Sequence, residues 1–190
     1  MDRVRAFLAI PLPHELKSSI RDLQVSLRAK IPAVHWTSPE NLHLTLHFFG
    51  DVTQETLEKI RVSVLSVKRC HRPLLVEVKG LGAFPNPRRP RIIWLGLEPK
   101  DPLRRLHKDY QNVLQRIGVA TEVQDYTPHL TIGRLRQQKS DLTDLFKSVG
   151  QTLIGQLPMD KLVLFESRFF SGGTEHIPLL TVKLDETTEH

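Results

Sequence analysis

The sequence predicts an α+β fold: a bilobal, pseudo-twofold duplicated unit with two mainly antiparallel sheets flanking a central groove and helices on the outside. Three observations carry this expectation. Short alternating apolar runs and amphipathic helical patterns interleave along the chain without the strict strand–helix–strand rhythm of a doubly wound parallel sheet. Several strands are joined by hairpin-like turns, which connect antiparallel neighbours. The tetrad His43-Leu44-Thr45-Leu46 returns as His129-Leu130-Thr131-Ile132, 86 positions on and close to half of the 190-residue chain. Such a return is the mark of an internal duplication.

Each element has its own reason. Val4 to Ile10 reads as a first strand. Pro13 opens a helix to about Arg28, with Leu16, Ile20, Leu23 and Leu27 at three- and four-residue spacing. Pro32 ends it, and Trp36 to Asn41 is a polar approach to a strand from Leu42 to Phe49 that Gly50-Asp51 stops. Thr53 caps a second helix to about Val67, whose apolar face is Leu57, Ile60, Val64 and Val67. Leu74 to Leu81 alternates as a strand, and three prolines stiffen the loop from Phe84 to Pro90. Arg91 to Leu97 is the next strand. Leu103 to Ile117 is a third helix, with Gly118 placed to terminate it. Pro128 introduces the second His-x-Thr strand, to about Leu135. Asp141 to Val149 is a short helix, and closing strands from Leu162 to Phe169 and Ile177 to Leu184 flank a Gly172-Gly173 turn. Residues 1–184 are thus expected to form one bilobal domain and residues 185–190 a polar tail.

Hydrophobic content of 39% and charged content of 25% are those of an ordinary soluble protein. The single Cys70 cannot form an internal disulfide, which suits a reducing cytoplasmic location. The apolar run Ala6 to Ile10 stops at Pro11, too short for a secretory leader, and nothing approaches a membrane span. The net charge of +6 pushes only mildly towards a polyanionic partner, because none of the clusters Arg88-Arg89 with Arg91, Arg104-Arg105 or Lys68-Arg69 is a basic arm.

The chemistry sits in the repeated tetrad. Strand side chains alternate faces, so His43 and Thr45 share one face with His47, while Leu44, Leu46 and Phe48 share the other; His129 and Thr131 stand likewise opposite Leu130 and Ile132. With apolar residues required after both polar ones, chance expects about 0.1 such motifs, and there are two. His35-Trp36-Thr37 lacks the alternation and is set aside. Two histidines facing each other form an acid–base device near neutral pH: one ring accepts a proton from water while the other donates one to a leaving oxygen. The Thr45 and Thr131 hydroxyls can hold phosphate oxygens. His43 and His47 have the i, i+4 spacing of a helical zinc pair, but the alternation says strand and no Glu or Cys completes a site, so neither metal nor cofactor is expected. His47 has no counterpart in the second motif, where Gly133 stands, and is read as structural or peripheral. Strict alternation would bury Arg134, a costly outcome for an unpaired guanidinium, unless Gly133 permits a bulge. A phosphate or RNA-backbone contact and a structural salt bridge are both open to it, and Arg91 is a further candidate for RNA contact.

The stretches Asn41 to Gly50, with Trp36 before them, and Tyr126 to Arg134 resemble the two signatures of the 2H phosphoesterase superfamily, and more narrowly its RNA 2′,3′-cyclic phosphodiesterase (2′-5′ RNA ligase-like) branch. Arg91 to Leu97, Leu164 to Ser167 and Gly172-Gly173 agree further, so the resemblance spans Arg5 to Leu184. It implies metal-independent opening of 2′,3′-cyclic phosphate ends of RNA to 2′-phosphates, with weak reversible 2′-5′ ligation in some members. On this pattern His43 is the proton donor, His129 the proton acceptor, and Thr45 and Thr131 bind phosphate. Thr127 departs from it, since many relatives carry Arg or Lys there. The partner implied is RNA with a cyclic phosphate terminus, taken up by a monomer without an obligate protein partner. A phosphodiesterase for a small cyclic nucleotide or ADP-ribose cyclic phosphate is the rival enzyme, and a non-catalytic RNA-end-binding module the rival of another class.

Overall fold

The structure is a computed structural model that describes residues 3–67, 71–121, 125–135, 141–171 and 173–184. Lys68, Arg69, Cys70, Gly172 and the tail 185–190 lie outside the described residues. In chain order the elements are β1 (Arg3–Pro11), α1 (His14–Arg28), β2 (Val34–Trp36), β3 (His43–Thr53), α2 (Gln54–Val67), β4 (Leu74–Phe84), β5 (Ile92–Glu98), α3 (Asp101–Arg116), β6 (His129–Leu135), α4 (Thr143–Val149), β7 (Leu153–Met159), β8 (Lys161–Phe170) and β9 (Gly173–Lys183). They form an α+β fold with two sheets, ordered β3-β1-β8-β9 and β2-β6-β5-β4-β7, and every described pairing is antiparallel.

With β2 set aside, the two orders correspond strand for strand. β3 and β6 carry the repeated tetrads. β1 and β5 pair with them and lead through α1 and α3 towards them. The halves then exchange strands: β4, after α2, joins the second sheet, whereas β8, after α4 and β7, joins the first. The expected pseudo-twofold relation is therefore present in the order of the sheets.

The apolar half of each tetrad anchors its strand. Leu44, Leu130 and Ile132 are fully buried and Leu46 nearly so, which for side chains of this size contributes about 1.5–3 kcal/mol each. Thr53 caps α2 as expected, its hydroxyl accepting from the Thr56 amide at 3.3 Å. Helix α1 differs from expectation in one place: its buried stripe is Leu16, Ile20, Gln24 and Leu27. The Gln24 amide donates to the carbonyls of Thr37 and Ile132, each at 2.9 Å, tying the lead-in of the first motif to the second motif strand.

Three expectations need correction. The approach from Trp36 to Asn41 contains the end of β2, which pairs with β6, and a turn of 3₁₀ helix at Pro39–Asn41. Gly50-Asp51 does not stop β3: Gly50 takes a positive φ of 67° at an irregularity and the strand runs on to Thr53. β7 is absent from the sequence expectation, because Gly155 and Pro158 interrupt its pattern. It lies at the edge of its sheet, where a missing N–H leaves no ladder broken.

Candidate active site

The two tetrads meet in one groove of about 1700 Å³, whose lining includes His43, Thr45, His129, Thr131, Arg134 and His176. Among the described residues His107 is the one α-helical member of that lining, so the sheets form the walls and the helices stand outside.

Both motif strands carry a bulge at the same place. In β3, Thr45 pairs with Ala9 and His47 with Leu8, so Leu46 is the extra residue; in β6, Thr131 pairs with Trp94 and Gly133 with Ile93, so Ile132 is. An extra residue inverts the facing of everything after it. Phe48 is consequently 54% exposed and lines the groove, while His47 is buried, its ring against Phe49 at 4.8 Å. Strict alternation puts His47 beside Thr45 and Phe48 in the core, so the bulge corrects both. In β6 the same inversion brings Arg134 into the groove and sends Leu135 inward. A bulge is therefore present, one residue before Gly133, and it removes the cost of burying that guanidinium.

His43 is walled by rings. Phe7 lies 4.8 Å away and tilted, and His176 on β9 stands edge-on at 5.2 Å. Burial foremost, then the charge of His176, press the His43 ring down to about 4, against a hydrogen bond to the Asn41 carbonyl that raises it. His129 is bounded by Phe84, edge-on at 4.9 Å, and by Trp94 at 6.2 Å. Its Nδ1 lies 2.7 Å from the Thr127 carbonyl, which makes Nδ1 the protonated nitrogen in the neutral ring and leaves Nε2 as acceptor. Burial lowers this ring too, opposed by the bond to Thr127. Each motif histidine is thus steadied by the carbonyl two residues before it. The Thr127 carbonyl thus holds the His129 ring, and Thr127 itself lines the groove.

Sequence reasoning missed three neighbours. The Tyr126 hydroxyl donates to the Thr45 carbonyl at 2.8 Å, so the lead-in of the second motif grips the strand of the first. Burial raises the phenol and keeps it a donor. His107 on α3 stacks face to face on Tyr126 at 4.1 Å, and is pushed down to about 4 by burial and by the neighbouring His47. His176 falls one residue outside the expected closing strand. Tyr126 stands three residues before His129, within the stretch that carries the family resemblance, but a hydrogen bond spanning 81 residues leaves no local pattern.

Arg91 is exposed and does not line the groove. Among the described residues no three His, Cys, Asp or Glu side chains converge as a set able to hold a metal ion, and no helix is long and apolar enough to cross a membrane.

A family model described as LigT-like phosphoesterase matches the chain twice, over residues 10–94 and 95–174, one tetrad in each. A Methanothermobacter thermautotrophicus protein named RNA 2′,3′-cyclic phosphodiesterase is 33% identical over 173 residues, spanning 90% of this chain and 94% of that one. Among solved structures, a protein of Thermus thermophilus superposes with a TM-score of 0.80 at 23% identity, covering 95% of this chain and 97% of its own. E. coli LigT in complex with 3′-AMP gives 0.76 at 26% identity, covering 97% and 100%.

Proposed function

The chain belongs to the LigT-like phosphoesterase family, and from that premise we propose that it hydrolyses 2′,3′-cyclic phosphate ends of RNA to 2′-phosphates by two-histidine acid–base catalysis. One observation carries this reading above the rest: two matching strands place a histidine and a threonine each into one groove, with each ring steadied by a carbonyl two residues upstream. The relatives named RNA 2′,3′-cyclic phosphodiesterase supply the substrate class.

In the proposed step His129 Nε2 takes a proton from water as the water oxygen bonds to phosphorus. The bond from phosphorus to the 3′ oxygen breaks, and His43 delivers a proton to that oxygen. The Thr45 and Thr131 hydroxyls donate to the non-bridging oxygens, and the Arg134 guanidinium offsets their charge. The product is a 2′-phosphate and a free 3′ hydroxyl. With its ring held at about 4, His43 is neutral in the free protein at pH 7. The anionic phosphate, seated beside it, restores its affinity for the proton it must deliver.

The test is an oligonucleotide ending in a 2′,3′-cyclic phosphate, incubated with EDTA, the product read for phosphate position. Turnover to the 2′-phosphate is expected. Binding without turnover would favour an end-binding module, and loss of turnover in EDTA would overturn the metal-independent step.

A further inference from the structure

Phe48, Phe169 and Phe170 are the exposed aromatic residues among the described part of the chain, at 54%, 69% and 58% exposure, and all three line the groove on its first-sheet side. Single exposed apolar residues need no explanation, but three phenyl rings gathered on one functional rim do. They continue an aromatic floor. Phe7, fully buried, touches His43 at 4.8 Å, Phe48 at 5.6 Å and Phe165 at 5.3 Å. Arg5, the next groove residue of β1 on that face, holds its guanidinium 5.5 Å over the Phe169 ring. Its other partner is Asp51, at 3.8 Å with both side chains half in solvent, a contact too weakly held to occupy it.

Aromatic rings interleaved with a loosely held cation are what a single nucleic-acid strand needs: faces on which bases stack, and a charge for the phosphates between them. On the opposite wall Arg134 is exposed, but the aromatic rings are half-buried, Trp36 on β2 and Tyr126 among them. Trp94 is packed on Phe84 at 5.3 Å and over Gly82, and neither ring is exposed. Arg88 and Arg89, the most basic stretch of the sequence, sit in the turn after β4, their amides bound to the Asn86 side chain, and line no part of the groove. The groove also exceeds the roughly 300–1000 Å³ of small-molecule pockets.

We propose that Phe169, Phe170 and Arg5, with Phe48 at the end nearer His43, form a stacking platform for the single-stranded RNA nucleotides upstream of the reacting phosphate. The strand therefore leaves the site over β1 and β8, away from the arginine turn. This rests on the RNA-end reading above.

The experiment compares kcat/KM for a hexanucleotide ending in a 2′,3′-cyclic phosphate with that for a mononucleoside 2′,3′-cyclic phosphate. The wild type is expected to favour the hexanucleotide. Phe169→Ala with Phe170→Ala should cut that ratio about tenfold or more, through the KM of the hexanucleotide, since one stacked base is worth about 5- to 150-fold in binding. Phe169→Leu with Phe170→Leu, which keeps the apolar bulk without the π face, should recover little of it. Arg5→Ala should flatten the salt dependence of the hexanucleotide KM. Arg88→Ala with Arg89→Ala should leave the ratio where it was. An unmoved ratio in the phenylalanine variants, full recovery by leucine, or collapse of the ratio in the arginine-turn variant would each overturn the platform. A wild type that turns over neither substrate would instead overturn the RNA-end reading and the platform with it.

Discussion

β3 and β6 carry near-identical tetrads, the same bulge after the threonine and the same carbonyl prop two residues before the histidine, yet they finish differently. Five residues past His43 the bulge delivers the phenyl ring of Phe48 into the groove; five past His129 it delivers the guanidinium of Arg134. The rings beside the histidines differ as well: Phe7 and His176 enclose His43, whereas Phe84 and Trp94 flank His129. Duplication supplies two equal histidines, and equal histidines make a poor acid–base pair. Unequal surroundings separate their proton affinities, and they divide the groove into a side suited to bases and a side suited to charge.

The strongest way to break this comparison is to remove one member. His43→Ala and His129→Ala should each lower kcat by about 10²–10⁴, each having removed one proton-transfer partner, with melting temperatures close to wild type. The double variant should fall well short of the product of the single effects, because the two act as a unit. A single variant that retained near wild-type turnover would remove its histidine from the mechanism.

The hydroxyls come next. Thr45→Ala and Thr131→Ala should each weaken inhibition by inorganic phosphate by about 1.5–3 kcal/mol, the size of a hydrogen bond to a charged group. Serine at either position should recover most of that loss. If Thr→Val at either position matched the wild type, the hydroxyls would be irrelevant to phosphate binding.

How far this was legible in advance depends on what the chain writes locally. Alternation placed His43 and Thr45 in the groove and Leu44 and Leu46 in the core, since side chains of each kind have only one tolerable face. It failed from His47 onwards, because the bulge at Leu46 carries no compositional mark; in β6 Gly133 did raise the prospect of one, but the role of Arg134 stayed open between a phosphate contact and a structural salt bridge. β7 was hidden by Pro158, which an edge strand tolerates, and the role of His176 by the distance in sequence to His43 and Phe7, the rings it meets in the groove.

A smaller effect tests the asymmetry of the lead-ins. Tyr126, before the second motif, grips the Thr45 carbonyl, whereas Asn41, before the first, sends its amide to the Thr174 carbonyl on β9. Only the former bond runs from one motif to the other. Tyr126→Phe keeps the ring on His107 and loses the hydroxyl, so stability in urea should fall by about 1 kcal/mol. If the bond also positions the motifs, kcat should fall up to about tenfold while KM hardly moves. Unchanged kcat would make Tyr126 a structural residue only.

The finest test asks which histidine holds the transferred proton, and it is read in pH profiles of kcat/KM, which report the free protein. The wild type should give a bell, since one ring must be charged and the other neutral. With His129 replaced by Ala, residual activity depends only on a protonated His43. It should therefore fall as pH rises through about 4, where burial and the His176 charge hold that ring. With His43 replaced by Ala, the residual rate depends on a neutral His129 and should rise with pH about a midpoint below the ordinary 6.5, because burial lowers that ring as well. Reversed roles would reverse both slopes. His176→Asn, made in the His129→Ala background, then isolates the neighbour. Removing a positive charge 5.2 Å from the His43 ring makes its proton easier to hold, so the falling limb should move to higher pH while burial, the larger cause, still holds it below the ordinary value. A limb that stayed in place or moved down would mean that His176 does not set the proton affinity of His43, and the inequality between the two sides would then rest on burial alone.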